Sequence, residues 1–180
     1  MKNYPVKNPE TGKTDWVSRS VAVAVSIYAW VDGKFCILAN QRGSGTKERP
    51  LNHAGQWNVI SGFIDYDETL LEACVREVHE ETGVDIKDVQ LTLKKVDDDP
   101  KRENQVILFR YCGFITNAKD IKLTNKYSEK NEVAEIKWIP LDELDNYNWT
   151  SENHKNKILE YGEWLLHYDM RVTVAKYLKI

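Results

Sequence analysis

Apolar residues first concentrate in two runs, VAVAVSIYAW (Val21–Trp30) and KFCILANQR (Lys34–Arg42). Both are rich in β-branched and aromatic residues, and Asp32-Gly33 between them suits a tight turn, which predicts two strands joined as a hairpin. Residues 43–56 are rich in glycine and polar side chains and predict a loop, after which WNVISGF (Trp57–Phe63) returns as a strand. From Thr69 to Thr82 the apolar spacing becomes helical. Residues 89–98 and 104–115 predict a second pair of strands, and residues 134–144 a short strand followed by a turn of helix. From Ser151 onward, Ile158, Tyr161, Leu165 and Tyr168 recur on one helical face, predicting an amphipathic C-terminal helix. No repeat or low-complexity segment interrupts the order, so the expected fold is a layered α+β or α/β domain.

The remaining numbers narrow the function. A chain of 180 residues is ordinary for one core, so a single domain over 1–180 is expected. With 42% hydrophobic and 29% charged residues, it is too apolar for a disordered chain. A net charge of −3 argues against a broad basic face, so no DNA partner is expected. Cys36, Cys74 and Cys112 are odd in number and lie far apart, which suggests neither a disulfide framework nor a cysteine zinc site and fits a reducing cytoplasm. The polar start lacks a leader's apolar core, and Val21–Val31 is too short to span a bilayer, so a cytoplasmic protein without a membrane partner is expected.

The chemistry concentrates in the predicted helix. Thr69 and Glu72 form a capping-box signature, and Gly83 stands where a helix end favours positive φ. At 3.6 residues per turn, Glu77, Glu80 and Glu81 fall within an arc of about 100°. That arc continues the stripe of Leu70, Ala73 and Cys74, with Glu72, Val75 and His79 opposite. Carboxylates aimed at a protein's body need a counter-charge, and Arg76 alone cannot offset three. Hard oxygen donors without histidine or cysteine suit Mg²⁺, Mn²⁺ or Ca²⁺; an arginine-paired structural cluster is the other reading.

Gly62, then Glu68, then REVHEETGV (Arg76–Val84) resembles the complete Nudix box, with GQWNVISGFID as its lead-in. The resemblance implies a Nudix hydrolase: an α/β/α sandwich around a mixed β-sheet that cleaves the diphosphate of a nucleoside diphosphate linked to another group. Carried over, Glu77, Glu80 and Glu81 bind Mg²⁺ (Mn²⁺ possible). Arg76 orients a glutamate, Glu68 buttresses the loop, and Glu77 or Glu81 is the base. The Ser61 carbonyl is a further metal ligand, and Glu132, rather than Glu135, supplies one more carboxylate. Arg42, Phe63 and Arg102 are candidate substrate contacts, although a strand-end arginine is more often solvated or ion-paired. Two positions depart from the box: Ile60-Ser61 stand where the family has Pro-Gly, and Asp67 where a small residue is common.

Pro100, 16 residues beyond the box, resembles the mark of ADP-ribose pyrophosphatases, so ADP-ribose or a related nucleotide sugar is the expected substrate. A proline bounding a loop is also common. Nucleoside triphosphates, capped RNA ends and a non-catalytic nucleotide-binding module stay open. An isopentenyl diphosphate isomerase is disfavoured, because that family uses a cysteine shortly after the Trp and WNVISGF has none. Family members are often dimers, and the C-terminal helix could serve such an interface.

Overall fold

The structure, a computed structural model, describes residues 4–101 and 106–178. A small hairpin of β1 (Tyr4–Lys7) and β2 (Thr14–Val17) precedes the main sheet. That sheet is built from β3 (Val21–Val31), β4 (Lys34–Arg42), β5 (Trp57–Asn58), β6 (Ile60–Phe63), β7 (Thr92–Asp97), β8 (Ile107–Ile115) and β9 (Val133–Pro140). Helix α1 (Leu70–Thr82) lies in sequence between β6 and β7. A 3-10 turn (Leu141–Asn146), α2 (Glu152–Tyr168) and α3 (Met170–Leu178) follow β9.

β3 is the hub. It runs parallel to β8 over Val21–Ala29 and antiparallel to two successive partners, β6 along Ala22–Val25 and β4 along Tyr28–Val31. A central strand covered on both faces reads as a continuous apolar run, because both sets of alternating side chains are buried. Val23, Val25, Ile27 and Leu38 pack with Ala73, Cys74 and Val78 of α1 on one face. Tyr28, Ile37 and Ile139 pack with Ile158, Tyr161 and Leu165 of α2 and Val172 of α3 on the other. Each fully buried aliphatic side chain contributes about 1.5–3 kcal/mol relative to exposure. The result is the expected α/β/α sandwich around a mixed sheet. Among the described residues no helix is long and apolar enough to cross a membrane.

Four details differ from the pattern reading. WNVISGF is two strands that part at Val59, β5 on β4 and β6 on β3. The polar lead-in forms β1 and β2, turning at Gly12 with φ +68°. The C-terminal helix breaks at Asp169, whose carboxylate accepts the Arg171 N–H (2.9 Å) and starts α3. As α2 ends at Tyr168, that ring lies outside the core and is 74% exposed. Residue 104, the expected start of the strand ending at Ile115, lies outside the described residues.

Candidate active site

Helix α1 is held at both ends by its own sequence. The Thr69 hydroxyl accepts the Glu72 N–H (3.3 Å), the Glu72 carboxylate accepts the Thr69 N–H (2.7 Å), and Gly83 takes φ +74°. The apolar stripe on the sheet therefore carries Glu77 and Glu81 inward, where both are buried, while Glu80 stays half-exposed. Val75, expected on the outer face, also packs partly against the core.

Arg76 organises the entry to the helix. Its Nε and Nη2 reach Glu68 at 3.0 and 2.7 Å, and Nη2 also donates to the Phe63 carbonyl at 2.9 Å. Its Nη1 donates to Glu77 at 2.7 Å and to Glu80 at 3.1 Å. A planar fork with five donors can serve this many acceptors; a lysine ammonium cannot. Glu68 also accepts the Asp65 N–H at 2.7 Å, so it ties the loop to the helix, and the bond from Arg76 holds its carboxyl below the usual range.

The two inner carboxylates are under-compensated. Burial pushes Glu77 up despite its bond to Arg76, with Glu80 and Glu132 adding to the rise. Burial likewise pushes Glu81 well above the ordinary value; Glu77 and Glu132 add repulsion, and Arg42 and the Ser61 N–H only partly offset it. Glu80 and Glu81 also stand in the last turn of α1, at the negative end of the helix dipole. Asn40 Nδ2 donates to Glu81 at 2.7 Å, and the amide oxygen of Asn40 is buried without a partner.

Gly62 explains itself here. A Cβ at that position would lie 2.0–2.4 Å from the Glu77 carboxylate, so the helix approaches β6 this closely only over a glycine. Arg42 ends β4 at an irregularity in its pairing with β9, its Nε donates to the Asn52 carbonyl at 3.0 Å, and its charge reaches Glu81. Glu132 precedes β9 and accepts the Glu129 N–H at 3.2 Å; its charge acts on both inner glutamates. Glu135 instead pairs with Lys137 at 2.7 Å. The Phe63 side chain is 57% exposed, and Pro100 lies in the turn after β7. Arg102 lies outside the described residues.

Glu68, Arg76, Glu77, Glu80, Glu81, Ser61, Arg42 and Glu132 thus form one neighbourhood. Sequence reasoning missed Asn40, although its signal was available: strand alternation puts it on the face of Leu38, toward α1, as a polar residue among apolar ones. It also missed Asn58, whose Oδ1 meets His154 Nδ1 at 2.7 Å and the Thr150 hydroxyl at 3.2 Å, while its Nδ2 reaches Ser61 Oγ at 3.4 Å.

Among the described residues no three His, Cys, Asp or Glu side chains converge closely enough to hold an ion as they are placed, since Arg76 holds Glu77 and Glu80. The donor chemistry nonetheless fits a hard divalent cation. All candidate ligands are oxygens, the two buried carboxylates lack compensation, and an orphaned amide oxygen stands beside one of them.

A family model, NUDIX domain, matches residues 20–161. Nudix hydrolase 6 of Arabidopsis thaliana is 26% identical over 107 residues, covering 59% of this chain and 35% of the relative. The NAD-capped RNA hydrolase NudC of Vibrio parahaemolyticus is 42% identical over 43 residues, covering 24% of this chain and 16% of the relative. The chain therefore spans about a third or less of the length of these relatives. The NUDIX domain of Shewanella oneidensis NrtR, solved with ADP ribose, aligns with a TM-score of 0.64 at 19% identity, covering 88% of this chain and 93% of that one. With the family matched over most of its length, the chain belongs to the Nudix hydrolase family.

Proposed function

We propose that this chain is a Mg²⁺-dependent hydrolase of the diphosphate bond in a nucleoside diphosphate linked to a second group, with ADP-ribose or a related nucleotide sugar as its substrate. The observation that carries the reading is the pair of buried carboxylates, Glu77 and Glu81, raised by burial and by repulsion from neighbouring carboxylates beside the chain of β6. A purely structural cluster would be expected to match its charges; this one does not.

Nudix hydrolases generally use divalent metal ions, and Glu77, Glu80, Glu81, Glu132 and the Ser61 carbonyl are the residues that would hold one here. Such an ion, when bound, screens the diphosphate's charge and makes a water more acidic. Arg76 fixes Glu77 and Glu80, while Asn40 and the Ser61 N–H fix Glu81. A carboxylate whose affinity for a proton is raised by burial is a competent proton acceptor, so Glu77 or Glu81 takes the proton of the water that attacks phosphorus as the bridging P–O bond breaks. An open cavity of about 560 Å³, lined by Ser44, Gly45, Thr46, Lys47, Glu48, Lys130 and Asn131, reaches the residue before Glu132 and would offer room for the rest of the substrate. The ADP-ribose reading rests on Pro100 and gains support from the solved neighbour that carries ADP ribose.

The test is a substrate panel with Mg²⁺: ADP-ribose, sugar nucleotides, nucleoside triphosphates, NAD-capped RNA and dinucleoside polyphosphates, with products separated by chromatography. AMP and ribose 5-phosphate from ADP-ribose, with kcat/KM of about 10⁴ M⁻¹s⁻¹ or more, is the expected result. Turnover of another nucleotide alone discards the Pro100 inference. No turnover at all discards the hydrolase, and wild-type rates in Glu81→Gln discard the metal site built on that carboxylate.

A further inference from the structure

Among the described residues three buried side-chain polar atoms lack a hydrogen-bond partner: Asn40 Oδ1, Trp138 Nε1 and Tyr161 Oη. Of these three, Asn40 is the one bonded to an inner glutamate. It stands in β4, opposite Asn58 of β5 and Ile136 of β9, and is 4% exposed.

The amide's NH₂ donates to Glu81 Oε2 at 2.7 Å, and its oxygen, buried without a partner, is the open end. A buried carbonyl oxygen with no donor is destabilising, and the strand position itself suits an aliphatic residue such as its neighbour Ile136. Packing alone gives no reason for an asparagine. The Glu81 carboxylate beside it is 4% exposed and makes no ion pair with any described residue. One occupant meets both deficits: a hydrated divalent cation supplies charge to Glu81, and one of its waters donates to Oδ1.

We infer that Asn40 is a positioning residue of the cation site, holding Glu81 through Nδ2 and accepting a hydrogen bond from the cation's hydration shell through Oδ1. This rests on the divalent-cation reading above and adds to it a residue from outside the box.

The experiment measures Mn²⁺ binding to the metal-free full chain by electron paramagnetic resonance, with no substrate present. Wild type, Asn40→Ala, Asn40→Leu and Asn40→Asp are compared, folding is checked by circular dichroism, and the melting temperature is taken with and without the ion. Asn40→Leu fills much the same volume, which separates lost packing from the lost amide. Ala and Leu at this position are expected to weaken Mn²⁺ binding about 10- to 100-fold, the usual effect of removing an outer partner of a metal site. Asn40→Asp keeps an oxygen at the Oδ1 position. It is expected to bind near the wild-type level and, because like charges repel without the ion, to gain more thermal stability from Mn²⁺ than wild type does. Folded Asn40→Leu that binds Mn²⁺ like wild type overturns the inference and leaves the cation site standing. Wild-type protein that binds no Mn²⁺ overturns the cation reading itself.

Discussion

Gly62→Ala probes how closely α1 and β6 must approach. The added methyl would sit 2.0 Å from Glu77 Oε1 and 2.1 Å from its Cδ, where ordinary contact begins at 3.4 Å, so the carboxylate must retreat by about 1.4 Å. The strand cannot give way readily, because Gly62 is paired with Val23 of the central strand. A retreat of that size breaks the 2.7 Å bond from Arg76 to Glu77. Charge-assisted hydrogen bonds contribute about 1.5–3 kcal/mol, which bounds the loss of stability. Catalysis should suffer more than this flexible side chain's move costs the fold. A misplacement of about 1 Å can cost 100-fold, equivalent to about 2.7 kcal/mol of barrier at 1.36 kcal/mol per tenfold. Urea unfolding and steady-state kinetics on the best substrate of the panel measure the two effects separately. A folded Gly62→Ala enzyme with wild-type kcat/KM would refute the claim that Glu77 acts from where it is placed.

Three further outcomes follow from the same geometry. In metal-free protein Glu81 keeps its proton above the pH at which the unfolded chain loses it, ordinarily 4.5. Its contribution is thus full below that pH and is lost as pH rises toward the folded value. Wild type should lose stability relative to Glu81→Gln as urea melts in EDTA move from pH 4.5 to neutrality, and parallel curves would contradict the burial argument. Arg76→Lys cannot span Glu68, Glu77 and the Phe63 carbonyl, and should lose about 2 kcal/mol in urea melts; unchanged stability would sink the organising role. Glu132→Gln should lower kcat/KM about tenfold or more while Glu135→Gln, which only frees Lys137, should not; the reverse order would show that the sequence comparison chose the wrong glutamate.

The helix was legible because its signals are local. Capping residues, a terminal glycine and helical spacing all lie within Thr69–Gly83 and agree with one another, so the inward aim of Glu77 and Glu81 followed from geometry. The two arms of Trp57–Phe63 were not separable, because their division at Val59 depends on which distant strand each arm meets, and nothing in seven residues records that. Tyr168 illustrates the same limit. Its helical spacing is correct, but the break at Asp169 turns the chain before the stripe reaches it. Asn40 was hidden for a different reason: a strand was read by its apolar content, and the single polar residue on the inward face was averaged away.

The division of WNVISGF also explains why the site lies where it does. β3 pairs with β6 through Val25 and with β4 from Tyr28 onward, so β4 and β6 leave it at neighbouring points and diverge. Where paired strands part, backbone and side-chain donors lose sheet partners and can turn toward a ligand. The Ser61 N–H and Gly62 of β6, and Asn40 and Arg42 of β4, all stand at this parting, with α1 laid across it through Ala73, Cys74 and Val78. Core packing on α1 thus fixes the height of the glutamates over the gap, and the sheet fixes the donors that meet them. The Pro-Gly departure at Ile60-Ser61 is tolerable on these terms: Ile60 is fully buried against α1, and Ser61 serves Glu81 through its backbone N–H, which any residue except proline provides.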